Sequence, residues 1–234
     1  MQELDARADQ LAHRRRSLPE LVQSASLTAS RRGVDDAVRD ARIALDDLVV
    51  EQRRIDAEVE QVKARRARDQ QRIDAGQVAN PKDLERMQHE MVSLERRITS
   101  LEDDELEVME QVEEAQRVLE HHTQELEGTD RRLAELSETV TVTQAEIDAD
   151  AATVAGRRAS AVEGLPADLL ALYERIRAAK SGIGAAELRQ RQCGGCRLGI
   201  DNAELGRIAA LPAEEVVRCE ECSRILVRTS ESGL

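Results

Sequence analysis

The sequence predicts a mainly α protein: a long antiparallel coiled-coil helical hairpin over residues 1–160, then a short helix and a small C-terminal β module over residues 161–234. Three observations carry this prediction. Apolar residues recur at heptad spacing through two stretches of matched length. A Gly, Asn and Pro cluster separates those stretches at residues 75–81. Four cysteines, in two Cys-x-x-Cys pairs, lie in the last fifth of the chain and nowhere else.

The first arm reads Val34, Val38, Ala41, Leu45, Leu48, Gln52, Ile55, Val59 and Val62, a spacing of three and four that places one apolar stripe on a helix. Leu18-Pro19 should start a new helical segment, because proline suits a first turn and breaks an interior one. Ser30-Arg-Arg-Gly33 is weak in helix propensity. Breaks are therefore expected near 17–20 and near 30–34.

The tip follows. In Asp74-Ala-Gly-Gln-Val-Ala-Asn-Pro81, Gly76 suits a helix C-cap, Asn80 an N-cap and Pro81 the first position of the next helix. A connection this short makes the two arms antiparallel neighbours. In the second arm every seventh residue from Leu84 reads Leu84, Met91, Ile98, Glu105, Val112, Leu119, Leu126, Leu133, Val140, Ile147 and Val154, with one polar exception. Companion positions start at Met87, Leu94, Leu101 and Val108. A strict seven-residue repeat of this length implies a left-handed supercoil against a partner helix. Such a pair buries one stripe only, so leftover apolar positions leave room for a homodimer.

Composition agrees with thin seams. Charged residues make up 35% of the chain, Phe and Trp are absent, and Tyr173 is the single aromatic, so no thick aromatic core can form. The net charge of −13 is concentrated: residues 82–160 carry 9 basic and 21 acidic side chains, and Glu102 to Glu114 holds eight acids and no base. A surface of that sign repels nucleic-acid phosphates and anionic membranes on average. No stretch approaches 18 apolar residues and the N-terminus has no apolar signal region, so a cytoplasmic protein without membrane contact is expected.

Beyond Gly164-Leu165-Pro166, Asp168 to Ile176 reads as a short amphipathic helix ending before Ser181-Gly-Ile-Gly184, and Ile225-Leu-Val227 is β-prone. Between them stand Cys193-Gly-Gly-Cys196 and Cys219-Glu-Glu-Cys222, separated by 22 residues. Two tight turns at this spacing can aim four thiolates at one tetrahedral ion. In a reducing compartment the pattern favours Zn²⁺ over disulfides, and no thioredoxin-like βαβ pattern supports a redox pair. Four cysteines also suit an iron–sulfur cluster, so the choice between zinc and iron rests on spacing and compartment. One ion held by Cys193, Cys196, Cys219 and Cys222 has no open position and is structural. Arg197, Arg218 and Arg224 are placed to offset the excess negative charge of four thiolates.

These words carry a resemblance. Cys193-Gly-Gly-Cys196-Arg-Leu198 and Val216-Val-Arg-Cys219-Glu-Glu-Cys222-Ser-Arg224-Ile225-Leu226, with Leu18-Pro19-Glu20 and the tip Asn80-Pro81-Lys82-Asp83-Leu84, resemble a family of bacterial proteins. Its members join a long N-terminal helical hairpin to a C-terminal four-cysteine zinc ribbon. The resemblance implies zinc binding, no known catalytic activity, and an adaptor or nucleic-acid- or transcription-linked role. Ser223 stands where that family often has glycine.

No P-loop, dinucleotide fingerprint or His-Glu-x-x-His occurs, and Gly182-Ile-Gly184 reads as a turn. His121-His122 is read as two diverging helical side chains, since neighbours on a helix point about 100° apart. The leading expectation is a non-enzymatic interaction protein whose arm and ribbon contact protein partners. The alternative is an RNA- or DNA-binding protein using the ribbon and arginine clusters. Lys63, Arg65, Arg66, Arg68 and Arg72 near the tip are candidate phosphate or partner contacts, against their reading as a solvated coiled-coil face. A hairpin that reaches into RNA polymerase would need paired tip acids for Mg²⁺, and only Asp74 and Asp83 flank this turn.

Overall fold

The structure, a computed structural model, describes all 234 residues. In chain order the elements are α1 (Gln2–Arg16), α2 (Pro19–Asp74), α3 (Pro81–Val162), α4 (Ala167–Ala179), β1 (Ala185–Arg189), β2 (Gln192–Cys193), α5 (Asn202–Ala210), β3 (Val217–Arg218) and β4 (Ile225–Val227). The chain forms two compact units: Val22–Leu136, and Met1–Leu21 together with Ser137–Leu234. None of the helices is long and apolar enough to cross a membrane.

In the unit Val22–Leu136, α2 and α3 are joined at the expected tip. The end of α2 is a Schellman turn: the Gly76 amide donates to the Ile73 carbonyl and the Gln77 amide to the Arg72 carbonyl, with Gly76 at φ +68°. The start of α3 is capped by Asn80, whose Oδ1 accepts from the Lys82 amide at 3.1 Å. Ile55, Val59 and Leu101 are buried together, with Val62 and Val108 against them, so the seam runs through the heptad positions. Ion pairs flank it: Arg31 with Asp130, Lys63 with Glu102, Arg65 with Glu90, and Arg66 with Glu95.

The break expected near 17–20 is present, at Ser17-Leu18 between α1 and α2. The break expected near 30–34 is not: α2 runs unbroken through Gly33. A mid-helix glycine costs about 1 kcal/mol relative to alanine, which a long packed helix absorbs. The local hydroxyls are turned to the helix's own carbonyls, Ser30 Oγ donating to Leu27 O at 3.0 Å, and Arg31 is tied to Asp130.

The second unit is organised around Asp5. This carboxylate, on α1, is 1% exposed; it accepts from the Tyr173 hydroxyl of α4 at 2.6 Å and from the Arg158 guanidinium of α3, with Arg177 of α4 nearby. Arg177 also bonds both Asp9 oxygens at 2.8 Å. Burial alone would raise the Asp5 pKa, but the Tyr173 hydroxyl, Arg158 and Arg177 together outweigh it and hold it below the usual aspartate value. Burial and the Asp5 carboxylate push the Tyr173 phenol upward. Leu11, Leu18 and Ile147 form a separate apolar cluster beside this network.

Gln2 completes the junction. Its Oε1 accepts from the amides of Gly184 at 2.7 Å and Ala185 at 3.2 Å and from the Tyr173 hydroxyl, while its Nε2 donates to Gly182 O at 2.9 Å. The chain is thereby fixed where it enters β1. Tyr173 packs on Gly184, where a Cβ would meet the ring at 2.7 Å.

The strands form one sheet in the order β2-β1-β4-β3, with β1 parallel to β4 and the outer pairs antiparallel. The β1–β2 connection puts Gln190 and Arg191 both at positive φ, as a two-residue type I′ hairpin requires. Neither residue favours that region, and the C-terminal tail holds them there: their amides donate to Glu231 O and Ser232 O at 2.8 and 3.0 Å. Helix α5 was not anticipated. Its signal is Asp201-Asn-Ala-Glu204, with Asp201 Oδ1 accepting from the amides of Ala203 and Glu204. Arg228 closes its other end by donating to the carbonyls of Ile208 and Leu211.

Replacing Asp5 with Asn should cost about 2–3 kcal/mol in urea unfolding, since charge-assisted bonds are lost from a buried site. The contribution of Asp5 is present above the unfolded aspartate pKa and is lost as pH falls through its lower folded value. The gap between wild type and Asp5→Asn should therefore be constant from pH 5 to 8 and narrow in acid below about pH 4.

Candidate metal centre

The two cysteine pairs sit on two turns of the same construction. In the first, the Arg197 amide donates to Cys193 O at 2.7 Å and the Cys193 amide to Leu198 O at 3.0 Å. In the second, the Ser223 amide donates to Cys219 O at 2.7 Å and the Cys219 amide to Arg224 O at 2.9 Å. The residue after each second cysteine is left-handed, Arg197 at φ +65° and Ser223 at φ +61°. That conformation is open to glycine at no steric cost, so glycine would fit position 223 without strain.

The four sulfurs converge. Cys193 and Cys222 Sγ lie 3.8 Å apart, Cys196 and Cys219 Sγ 3.9 Å apart, and all four are within 4.8 Å of one another. Zn–S bonds of about 2.3 Å in a tetrahedron give sulfur separations of roughly 3.8 Å. The Cys193–Cys222 and Cys196–Cys219 separations thus match the edge of a zinc tetrathiolate, the remaining ones stay within 4.8 Å, and these pairs are too far apart for disulfides. Cys193, Cys219 and Cys222 are buried with Leu188, Leu205, Ile208, Val217 and Leu226, so the core of this module is built around the site.

The electrostatics fit a cation. Burial pushes the Cys193 thiol up, and Cys219 is pushed up to about 12 chiefly by burial, despite amide donors within each turn. At Cys222 burial also acts upward, but the Arg224 amide and side chain and the neighbouring thiols bring it down to about 7. Four thiolates in this space need a metal to offset their desolvation, and binding one releases protons. Arg224 also reaches outward, donating from Nε to Ile183 O and from Nη2 to Lys180 O, which joins the second turn to the end of α4. Arg218 Nε donates to Ser223 O.

Gly194 and Gly195, between the first two cysteines, do not take positive φ. Their role is close approach: a Cβ on Gly195 would meet Arg224 Cδ at 2.6 Å, and one on Gly194 would meet Glu187 O at 3.1 Å.

Elsewhere, Lys63, Arg65, Arg66 and Arg72 each face a carboxylate, and Arg68 has none within ion-pair distance. His121 and His122 lie closer than expected from adjacent helical positions, with ring centroids 5.4 Å apart, and Glu125 Oε2 stands 3.5 Å from His122 Nδ1.

Purified protein should carry one zinc per chain by mass spectrometry under native conditions. Cys219→Ser should lose it, with collapse of amide dispersion confined to residues 185–234, because structural zinc supplies about 10–16 kcal/mol of folding free energy in such modules. Ser223→Gly should keep the metal and raise the thermal stability of the ribbon by up to about 1 kcal/mol, by relieving the left-handed strain.

Comparison with known proteins agrees with both halves. Residues 1–181 match the CT398-like coiled coil hairpin domain, and residues 192–226 match the C4-type zinc ribbon domain. An uncharacterized protein of Mycobacterium tuberculosis is 36% identical over 225 residues, covering 96% of this chain and 91% of the relative. One from Mycobacterium leprae is 30% identical, with 96% of each covered. A solved structure from Mycobacterium smegmatis superposes with a TM-score of 0.80 at 34% identity, covering 97% of this chain and 94% of the other. CT398 from Chlamydia trachomatis shares the fold, with a TM-score of 0.65 at 18% identity over 97% and 94% of the two chains. With a hairpin matched over residues 1–181 and a ribbon whose four thiols take the spacing of a tetrahedral zinc site, the chain belongs to the family of CT398-like coiled-coil hairpin proteins with a C4-type zinc ribbon.

Proposed function

We propose that this protein is a non-enzymatic adaptor whose hairpin and zinc ribbon contact protein partners, with zinc serving only to hold the ribbon in shape. The observation that supports the reading is the donor set: four protein sulfurs lie within 4.8 Å of one another, and a tetrahedral ion held by all four keeps no position for a substrate or activated water. The hairpin adds no nucleophile–base constellation, and its surface is a lattice of ion pairs.

The nucleic-acid alternative draws little support from the basic cluster at the tip. Lys63, Arg65, Arg66 and Arg72 face carboxylates of the hairpin itself, which leaves Arg68 as the unpaired member of that cluster. Single-strand binding also leans on aromatic platforms, and Tyr173 is buried under Asp5.

A photo-crosslinking amino acid placed at Arg68 or at Arg197 in the full chain should give discrete protein adducts in cells. Cys219→Ser should abolish those formed through position 197 and spare those formed through position 68. Adducts to RNA or DNA, matched by gel shifts that fall steeply with salt, would favour the alternative. An absence of specific adducts at both positions would sink the adaptor reading.

A further inference from the structure

The sheet of the ribbon has two faces, and only one is used by the metal core. Strand alternation puts Ala186, Leu188 and Leu226 on the face packed around the cysteines. The parallel register of Ala185 with Ile225 and of Glu187 with Val227 puts those four residues on the opposite face. Over these four residues that second face is apolar but for Glu187, with Arg189 further along β1 and Arg218 of β3 opposite Ile225 beside it, and it is not closed over. It forms the floor of a cavity of about 570 Å³, walled by Leu165, Leu169 and Tyr173 and ended by Met1, Gln2 and Glu3 of the first helix. This volume lies within the range of roughly 300–1,000 Å³ typical of binding pockets.

Two features of the cavity bear on what it can hold. Leu165 and Val227 remain 38% and 43% exposed at its walls and floor, an apolar surface left to water beside a rigid sheet. Its side-chain charge is negative: Glu3 and Glu187 are both exposed, neither has an ion-pair partner, and no Lys or Arg lines the space, so the two carboxylates outnumber the one amino group, that of Met1. The Gln2 and Tyr173 polar groups are already committed to each other, to Asp5 and to the backbone at Gly184 and Ala185, so they shape the wall.

We infer that this cavity, between the outer face of β1–β4 and the helix α4, docks a short peptide segment of a protein partner that presents an aliphatic side chain beside Lys or Arg. The aliphatic group covers Ile225, Val227 and Leu165, and the cation meets Glu3 and Glu187. The proposal rests on the adaptor reading and assigns it a site and a partner chemistry.

The test is selection of a random 12-residue peptide library on the full-length, zinc-loaded protein. The expected consensus pairs Leu, Ile or Val with Lys or Arg within three positions. Glu3→Gln with Glu187→Gln should weaken the selected peptides about tenfold and flatten their salt dependence. Leu165→Ser with Val227→Ser should weaken them at least tenfold, while zinc content and melting stay close to wild-type values, since both residues are more than a third exposed and lie outside the cysteine core. A photo-crosslinker at Val227 should label the same peptides. Enrichment of no peptide, a consensus lacking the aliphatic–basic pair, or affinities within twofold of wild type in both double variants would overturn the site. Cellular adducts at position 68 or 197 that persist in these variants would leave the adaptor reading standing while removing this cavity from it.

Discussion

A carboxylate removed from water, Asp5, sets the arrangement on which the C-terminal unit depends. A buried charge is tolerable only when opposite charges and donors surround it. Here those come from α3 through Arg158 and from α4 through Tyr173 and Arg177, so satisfying one side chain fixes three helices to each other. Gln2, one turn earlier, extends the same junction to the chain entering β1. The position of the ribbon beside α1 and α4 follows from these polar contacts more than from apolar area, because the neighbouring clusters are small.

The ribbon solves a different problem. Its strands are two to five residues long, too short to be stable alone, and its apolar cluster is closed by cysteine sulfurs. The metal turns are one backbone solution used twice, down to matching hydrogen bonds and matching left-handed residues. Arg224 links the second turn to Lys180 and Ile183, so the metal site and the helical part share a residue. This coupling makes the ribbon a fixed head in its unit and gives the outer sheet face a defined wall opposite it.

Much of this was legible in the residues. The heptads located the seam, Gly76, Asn80 and Pro81 located the tip to the residue, and the cysteine spacing located the metal site. These signals are local and each has one dominant physical cause. The predicted break at residues 30–34 failed because propensity is a weak local term, and the packing of a long helix overrides a single glycine. Helix α5 went unread although Asp201 and Glu204 spell a capping box, because nine residues between two cysteine turns look like loop. The Asp5 network was out of reach: its members lie some 150 to 170 positions apart, and nothing in a single sequence pairs them. For the same reason the sequence does not show that Gly195 makes room for Arg224, which arrives from across the site.

The ion pairs along the hairpin have a consequence for register. A seven-residue slip of α2 against α3 would keep apolar residues facing apolar residues, so the heptad stripe by itself discriminates poorly between the correct alignment and its neighbours. The pairs Arg31–Asp130, Lys63–Glu102, Arg65–Glu90 and Arg66–Glu95 supply part of that discrimination. A slip strands Arg31 against Thr123 or Ser137, but in one direction it hands Lys63 to Glu95 and Arg65 to Asp83, and in the other Arg66 to Glu102. The acids of α3 thus code for register unevenly, and Arg31–Asp130 carries the clearest signal. All four pairs are solvent-exposed, so the code is written in an ink that salt dilutes: concentrated electrolyte leaves the helices and their seam in place while eroding the preference for one alignment over the next.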